Sequence, residues 1–168
     1  MNASAKNVPY QLRMNSSGFT LIELMVTIAV LAIIVGIAAP SMSTQLANQR
    51  VKSTAATLAN ALKEAKAESI IRRQNITVVY SSTNPKTITL QDVNNNDIST
   101  YNIHDQSDVT ETIAPSTVTD VTFQPNKVVA DGAAVTYTIC DSGSSSETPR
   151  QVRISRVTNI STVNAGDC

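Results

Sequence analysis

A chain of 168 residues has room for one domain with a modest core and an attached segment or two, which argues against a two-domain enzyme. Its 13 Lys and Arg balance 13 Asp and Glu, aromatic content is 4% and tryptophan is absent, so the composition as a whole fits neither a strongly basic polyanion binder nor an aromatic platform for sugars or bases. The average hides a pattern. Residues 41–74 carry Arg50, Lys52, Lys63, Lys66, Arg72 and Arg73 against Glu64 and Glu68, residues 75–149 carry nine acids against Lys86 and Lys127, and residues 150–168 carry Arg150, Arg153 and Arg156 against Asp167. The chain therefore has a positive stem, a negative middle and a positive tail.

In chain order, residues 1–18 are polar, with Lys6 and Arg13 and no acid. Residues 19–39 follow as 21 residues with Glu23 as the single charge. As a helix that run spans about 31 Å and matches a bilayer core. The basic leader holds its own end cytoplasmic, which places everything after Pro40 outside the cytoplasm. A secretory signal cut after the apolar run would leave Pro40 just beyond the cleavage site, where it is a poor residue. An ordinary single-pass anchor leaves Glu23 unexplained, because a carboxylate in the apolar core costs about 2.5–3.5 kcal/mol and is kept for a partner.

Gly18-Phe19-Thr20-Leu21-Ile22-Glu23 resembles the class III signal of type IV pilins and type II secretion pseudopilins. The resemblance implies that a membrane prepilin peptidase cuts after Gly18 and N-methylates Phe19. It also implies that Glu23 pairs with the terminal amine of a neighbouring subunit, an arrangement in which two groups that insert badly alone compensate each other. Pro40 stands where members of that family often bend the helix. The 18-residue leader is long for the family and Met14 offers an internal start, leaving Met1 and Met14 as alternative initiation sites.

Beyond Pro40, Val51, Ala55, Leu58, Leu62 and Ala65 recur at steps of four and three between polar residues, which predicts an amphipathic helix to about Gln74. Its basic residues read either as a solvated face or as a surface that meets the acidic middles of other subunits. From Ile76 the period becomes two. Strands are predicted at 76–81, 87–91, 121–124, 134–140 and 151–157, with turns at Asn84-Pro85, Asn94 to Asp97, Pro125-Asn126 and Asp131-Gly132. Cys140 and Cys168 enclose a stretch rich in Ser, Thr, Asn and Gly; in an exported chain they read as a disulfide worth roughly 3 kcal/mol, with two free thiols as the alternative.

The whole pattern resembles the FimT/FimU minor pilins and the related GspH pseudopilins. The expected fold class is therefore α+β, a long N-terminal helix packed on an antiparallel β-sheet domain. The expected organisation is a leader at 1–18, a transmembrane and assembly helix at 19–40, an amphipathic helix at 41–74 and a β-rich domain at 75–168. The closing stretch from Arg150 to Ser161 resembles the family's last strand, in which an apolar run leads into Gly-Arg, and here Thr158-Asn159 occupies that place.

Other constellations carry less. The stretch from Asp92 to Asp97 begins like a calcium loop, but Asp97 stands at the sixth position and Ile103 at the twelfth, which favours a polar hairpin turn. His104 is the only histidine and has no ligand or nucleophile spacing around it, and Gly143 to Ser146 lacks the setting of a nucleophile elbow. No catalytic set, metal site or cofactor is expected. Arg150, Arg153 and Arg156 read as surface or inter-subunit salt-bridge residues or, by resemblance to FimT-like pilins implicated in DNA capture, as a weak nucleic-acid site. On a strand, Arg150 and Arg156 would share one face and Arg153 the other. The expected role is a minor pilin that primes or tips a type IV pilus, serving motility or adhesion. The alternatives are a GspH-type pseudopilin and a DNA-binding uptake pilin. The expected partners are other major and minor pilins, the prepilin peptidase and the inner membrane.

Overall fold

The computed structural model describes residues 18–117, 120–126 and 128–168, apart from the side chains of residues 38–41. The expected leader up to residue 17, with Met1 and Met14, lies outside the described residues, and the bend expected at Pro40 falls where side chains are not described. The chain divides into two compact units, Met1–Ala38 and Ala39–Cys168. Helix α1 (Leu21–Arg72) contributes to each.

In the first unit, Thr20 caps α1: its hydroxyl accepts the Glu23 backbone N–H at 3.2 Å, and its carbonyl accepts the Leu24 N–H at 3.2 Å. Thr20 and Glu23 thus stand at the two key positions of a capping box, with the acid in the first turn where the helix dipole favours negative charge. The following turns are apolar on every side. Every large hydrophobic residue from Phe19 to Ile37 is half or more exposed, from Val30 at 50% to Phe19 at 79%. A helix that is hydrophobic all round is stable only when something apolar surrounds it. No single helix among the described residues is long and apolar enough to cross a membrane alone, whereas Leu21–Ile37 and Met42–Arg72 pass that test of length and composition as a pair.

In the second unit, period and burial agree. Ala47, Val51, Ala55, Leu58, Leu62 and Ala65 of α1 are buried at spacings of four and three, and Thr54, Ala61 and Ser69 widen the stripe. The helix ends at Arg72, beside its i−4 partner Glu68, and Arg73 takes a left-handed φ of 54° that stops propagation.

Among the described residues, eight strands form two antiparallel sheets. The first joins β1 (Ile76–Ser81), β2 (Thr87–Gln91), β3 (Asp97–Asn102) and β5 (Val121–Phe123) in the order β3-β2-β1-β5. The second joins β4 (Ser107–Ala114), β6 (Ala134–Asp141), β7 (Arg150–Ile154) and β8 (Ile160–Asn164) in the order β4-β6-β7-β8. Ile76, Val78, Ile88, Leu90, Val121 and Phe123 from the first sheet and Val135, Tyr137, Ile139, Val152 and Ile154 from the second meet the α1 stripe in one core. Strands β3, β4 and β8, absent from the sequence expectation, all lie at sheet edges. They bury few apolar side chains: β3 and β8 have no fully buried residue, and in β4, which alternates, the one fully buried residue is Ser107.

Polar bonds stitch α1 to the sheets. Thr54 donates to the buried Ser107 hydroxyl of β4 at 2.8 Å, and Glu64 accepts from Ser99 at 2.6 Å and from Tyr101, both on β3. The Glu64 carboxylate holds the Tyr101 phenol above its usual pKa. Asn48 accepts the Thr148 N–H at 2.7 Å, and Lys66 donates to the Thr158 carbonyl at 3.1 Å. Lys86, just before β2, reaches Asp108 of the second sheet at 2.6 Å and also donates to the Ser107 carbonyl at 2.9 Å.

Candidate assembly and interaction surfaces

At the N-terminal end, Gly18 and Phe19 are exposed ahead of the helix, and a Cβ placed on Gly18 would meet nothing within 4 Å. Glu23 is also exposed, one turn into α1. Sequence reasoning gave Glu23 an intermolecular role only. The structure adds a local one, because Thr20-Leu21-Ile22-Glu23 has the spacing of a capping box and the Thr20 bond is made. That signal was already present in the residues.

The closing arginines do not form one surface. Strand β7 ends at Ile154, so Arg156 is not on it, and the expectation that Arg150 and Arg156 share a strand face is corrected. The reason is a tight turn. Ser155 accepts the Thr158 N–H at 2.8 Å through its carbonyl and the Asn159 N–H at 3.1 Å through its hydroxyl, and its own N–H donates to the Asn159 carbonyl at 3.0 Å. Arg156 is exposed in this turn, and its carbonyl accepts the Val129 N–H at 3.4 Å. Arg153 points to the outer face, where Gln151 Oε1 accepts from it at 2.7 and 3.1 Å. Arg150 has the parity of buried Val152 and Ile154, so it lies on the helix side of the sheet.

The same turn explains the residue at 158. Thr158 is buried and has φ of 58°, a conformation that glycine adopts freely and a β-branched residue rarely. A family Gly at this position therefore has a backbone reason.

Cys140 at the end of β6 and Cys168 beyond β8 are joined by a disulfide with a Cα–Cα distance of 5.9 Å. Beside it, the Asp141 N–H donates to Glu147 Oε1 at 3.1 Å, while Asp141 Oδ1 accepts the Gly143 N–H at 3.0 Å. The glycine and serines after Asp141 thus form a carboxylate-capped turn. The loop from Asp92 is a hairpin tip: Asp92 Oδ1 accepts the N–H groups of Asn94 and Asn96 at 2.8 and 2.9 Å, and Asn96 Nδ2 donates to Oδ2 at 3.0 Å. These bonds, led by the Asn96 side chain, hold the Asp92 pKa below its ordinary value. His104 is exposed, and its Nδ1 accepts the Gln106 N–H at 3.1 Å within a turn. Among the described residues no group of three His, Cys, Asp or Glu side chains is arranged to hold a metal ion.

Two recesses flank α1 on the β8 side. One, of about 350 Å³, is lined by Gln45, Asn48, Gln49, Lys52, Thr148, Arg150 and Asn164. The other, of about 330 Å³, is lined by Lys63, Lys66, Val157, Thr158, Asn159 and Ile160. Neither contains an acidic residue. Lys52, Lys63 and Lys66 are visible in the sequence as basic residues of α1, and their place beside β8 depends on a strand with no sequence signal.

A helix with an exposed apolar first half and a buried-stripe second half, laid on two antiparallel sheets, defines the pilin-like class of fold. Solved structures agree. The type IV minor pilin FimU of Pseudomonas aeruginosa is 18% identical with a TM-score of 0.55, covering 70% of this chain and 98% of its own. The minor pseudopilin EpsH from the type 2 secretion system of Vibrio cholerae is 11% identical with a TM-score of 0.56, covering 70% of this chain and 99% of its own. The model of the prokaryotic N-terminal methylation motif matches residues 13–39, and that of the type II transport protein GspH matches residues 54–158. The chain belongs to the GspH family. A comparison with curated proteins gave no match.

Proposed function

We propose that this chain is a minor pilin, made as a single-pass inner-membrane precursor with its C-terminal domain in the periplasm and then built into a type IV pilus. The observation that carries this reading is the capped helix from Leu21 with large apolar side chains exposed on every face, inside a matched methylation motif. In this reading residues 1–18 are the leader, cleavage falls after Gly18 and methylation on Phe19. The new amine would then sit at the positive end of the helix dipole, where it is poorly placed alone. Glu23 of a neighbouring subunit offers the compensating charge. The role requires no catalysis by this chain, and priming or tip assembly suits a subunit present in few copies.

A second reading is favoured by the GspH match: a pseudopilin of type II secretion. A third, DNA capture through Arg150, Arg153 and Arg156, has less support, because these residues lie on the helix side, the outer face and a turn. One experiment tests the main reading. Filaments sheared from cells producing the tagged full chain are purified and their peptides analysed by mass spectrometry. An N-methylated peptide beginning at Phe19 in the surface filament fraction is the expected result. A peptide beginning at Pro40 would overturn cleavage after Gly18, and recovery only from the periplasm-facing membrane fraction of secreting cells would favour the pseudopilin.

A further inference from the structure

Along α1, Lys52, Ala56, Ala59, Lys63 and Lys66 are spaced four, three, four and three apart, so they fall on one stripe at the border of the buried one, with Ala59 itself in the core. The stripe faces β8: Lys52 shares a recess with Arg150 and Asn164, and Lys63 and Lys66 share another with Thr158 and Ile160. Both ends of the strand thus lie beside cations, and neither recess holds an acid. Among the described residues, Lys52, Lys63 and Arg150 enter none of the ion pairs, which join Arg50, Arg72 and Lys86 to acids.

Strand β8 is at a sheet edge, carries neither charge nor proline and is mostly exposed. Soluble proteins usually blunt such an edge. Its open backbone groups suit an added strand, and its flanking cations suit carboxylates.

We infer that an extended segment of a neighbouring subunit pairs with the outer edge of β8 and places one acid in each of the two cationic recesses at its ends. The inference rests on the subunit reading above. Eleven helical steps lead from Lys52 to Lys63, about 16 Å of axis. An extended chain covers that distance in about five residues, so the docked segment carries acids about five positions apart. Charge argues for the acids, because the two recesses hold Lys52, Arg150, Lys63 and Lys66 and no carboxylate. A nucleic acid fits less well, because its closely spaced phosphates need a continuous row of cations. Here Ala56 and Ala59 leave the middle of the row neutral.

The test is zero-length carbodiimide cross-linking of assembled full-length protein in isolated membranes and filaments, read by mass spectrometry. The expected products are isopeptide bonds from Lys52 and Lys63 to Asp or Glu residues of one segment in a second subunit. Lys52→Gln with Lys63→Gln removes both reacting amines, so this variant is read by its incorporation into the assembled fraction, which should fall about tenfold; unchanged incorporation would overturn the proposal. Both lysines are exposed, so the variant is expected to fold, and an unchanged thermal midpoint checks this. Equal acetylation of both lysines in assembled and detergent-dissociated protein would overturn the proposal, as would ultraviolet cross-links from this stripe to DNA alone. The same digest reports the N-terminus: methylated Phe19 with freely acetylated lysines removes the docking site only, whereas absence of methylated Phe19 removes the subunit reading and the docking site together.

Discussion

Arg50 Nη1 lies 3.4 Å from Asp141 Oδ2, and the Asp141 side chain is fully shielded from solvent while Arg50 keeps 28% of its side-chain exposure. The pair joins α1 to the end of β6 next to the disulfide. Arg50→Gln should cost about 2–3 kcal/mol, because it leaves a buried carboxylate without its cation. Arg50→Gln combined with Asp141→Asn should cost less than the two single changes summed. Chemical denaturation of the detergent-solubilised chain and its variants measures the coupling, and simple additivity would show that the pair does not interact.

Position 158 tests the backbone argument. With φ of 58° at a buried site, Thr158→Gly and Thr158→Ala lose the same side-chain contacts except for one methyl group, but only Ala keeps a Cβ in the left-handed region. Gly should therefore be the more stable of the two by about 1 kcal/mol, the reverse of their order in a helix or strand interior. Equal denaturation midpoints would remove the strain argument.

Glu111 on β4 pairs across to Tyr137 on β6, and burial is the main cause that raises its pKa. Burial likewise pushes the Tyr137 phenol up. A carboxyl whose folded pKa lies above its unfolded value binds more protons when folded. Its penalty is thus absent below the unfolded pKa and complete above the folded one, so stability falls as pH rises between them. Glu111→Gln should raise the thermal midpoint at pH 7 and leave it unchanged near pH 3. A midpoint difference that does not vary with pH would count against this assignment.

The disulfide closes a loop with a sequence separation of 28. Replacing both cysteines by Ser should cost roughly 3 kcal/mol in the loop-entropy model, measured as a shift in the urea midpoint under non-reducing conditions. Peptide mapping without reductant should join Cys140 to Cys168, and two alkylatable thiols in the native chain would refute the pairing.

The parts of the fold that were legible in the sequence are those that bury a strong period. Val51, Ala55, Leu58, Leu62 and Ala65 marked the core face of α1, and β1 and β2 match the predicted 76–81 and 87–91. Of the edge strands only β5, with Val121 and Phe123 buried, was legible. β3 reads DISTYN and β8 reads ISTVN, with no fully buried residue in either, so alternation had nothing to act on. Missing β8 extended the preceding strand through Arg156 and obscured the turn that sets Thr158. It also hid the two recesses, because the lysines of α1 acquire a neighbour only when that strand is known. The end of α1 nearest Glu23 carries two signals in the same residues, the resemblance to a signal motif and the Thr20 cap within it.

The order β6-β7-β8 and the covalent link between β6 and the chain just beyond β8 have a mechanical consequence. A pull applied to β8 by a docked neighbour would reach β6 through the Cys140–Cys168 bond and would bypass the hydrogen bonds of β7. The hairpin could then not be peeled open from its free end, and in a filament under tension the strand offered for docking would also be the strand best secured against unravelling.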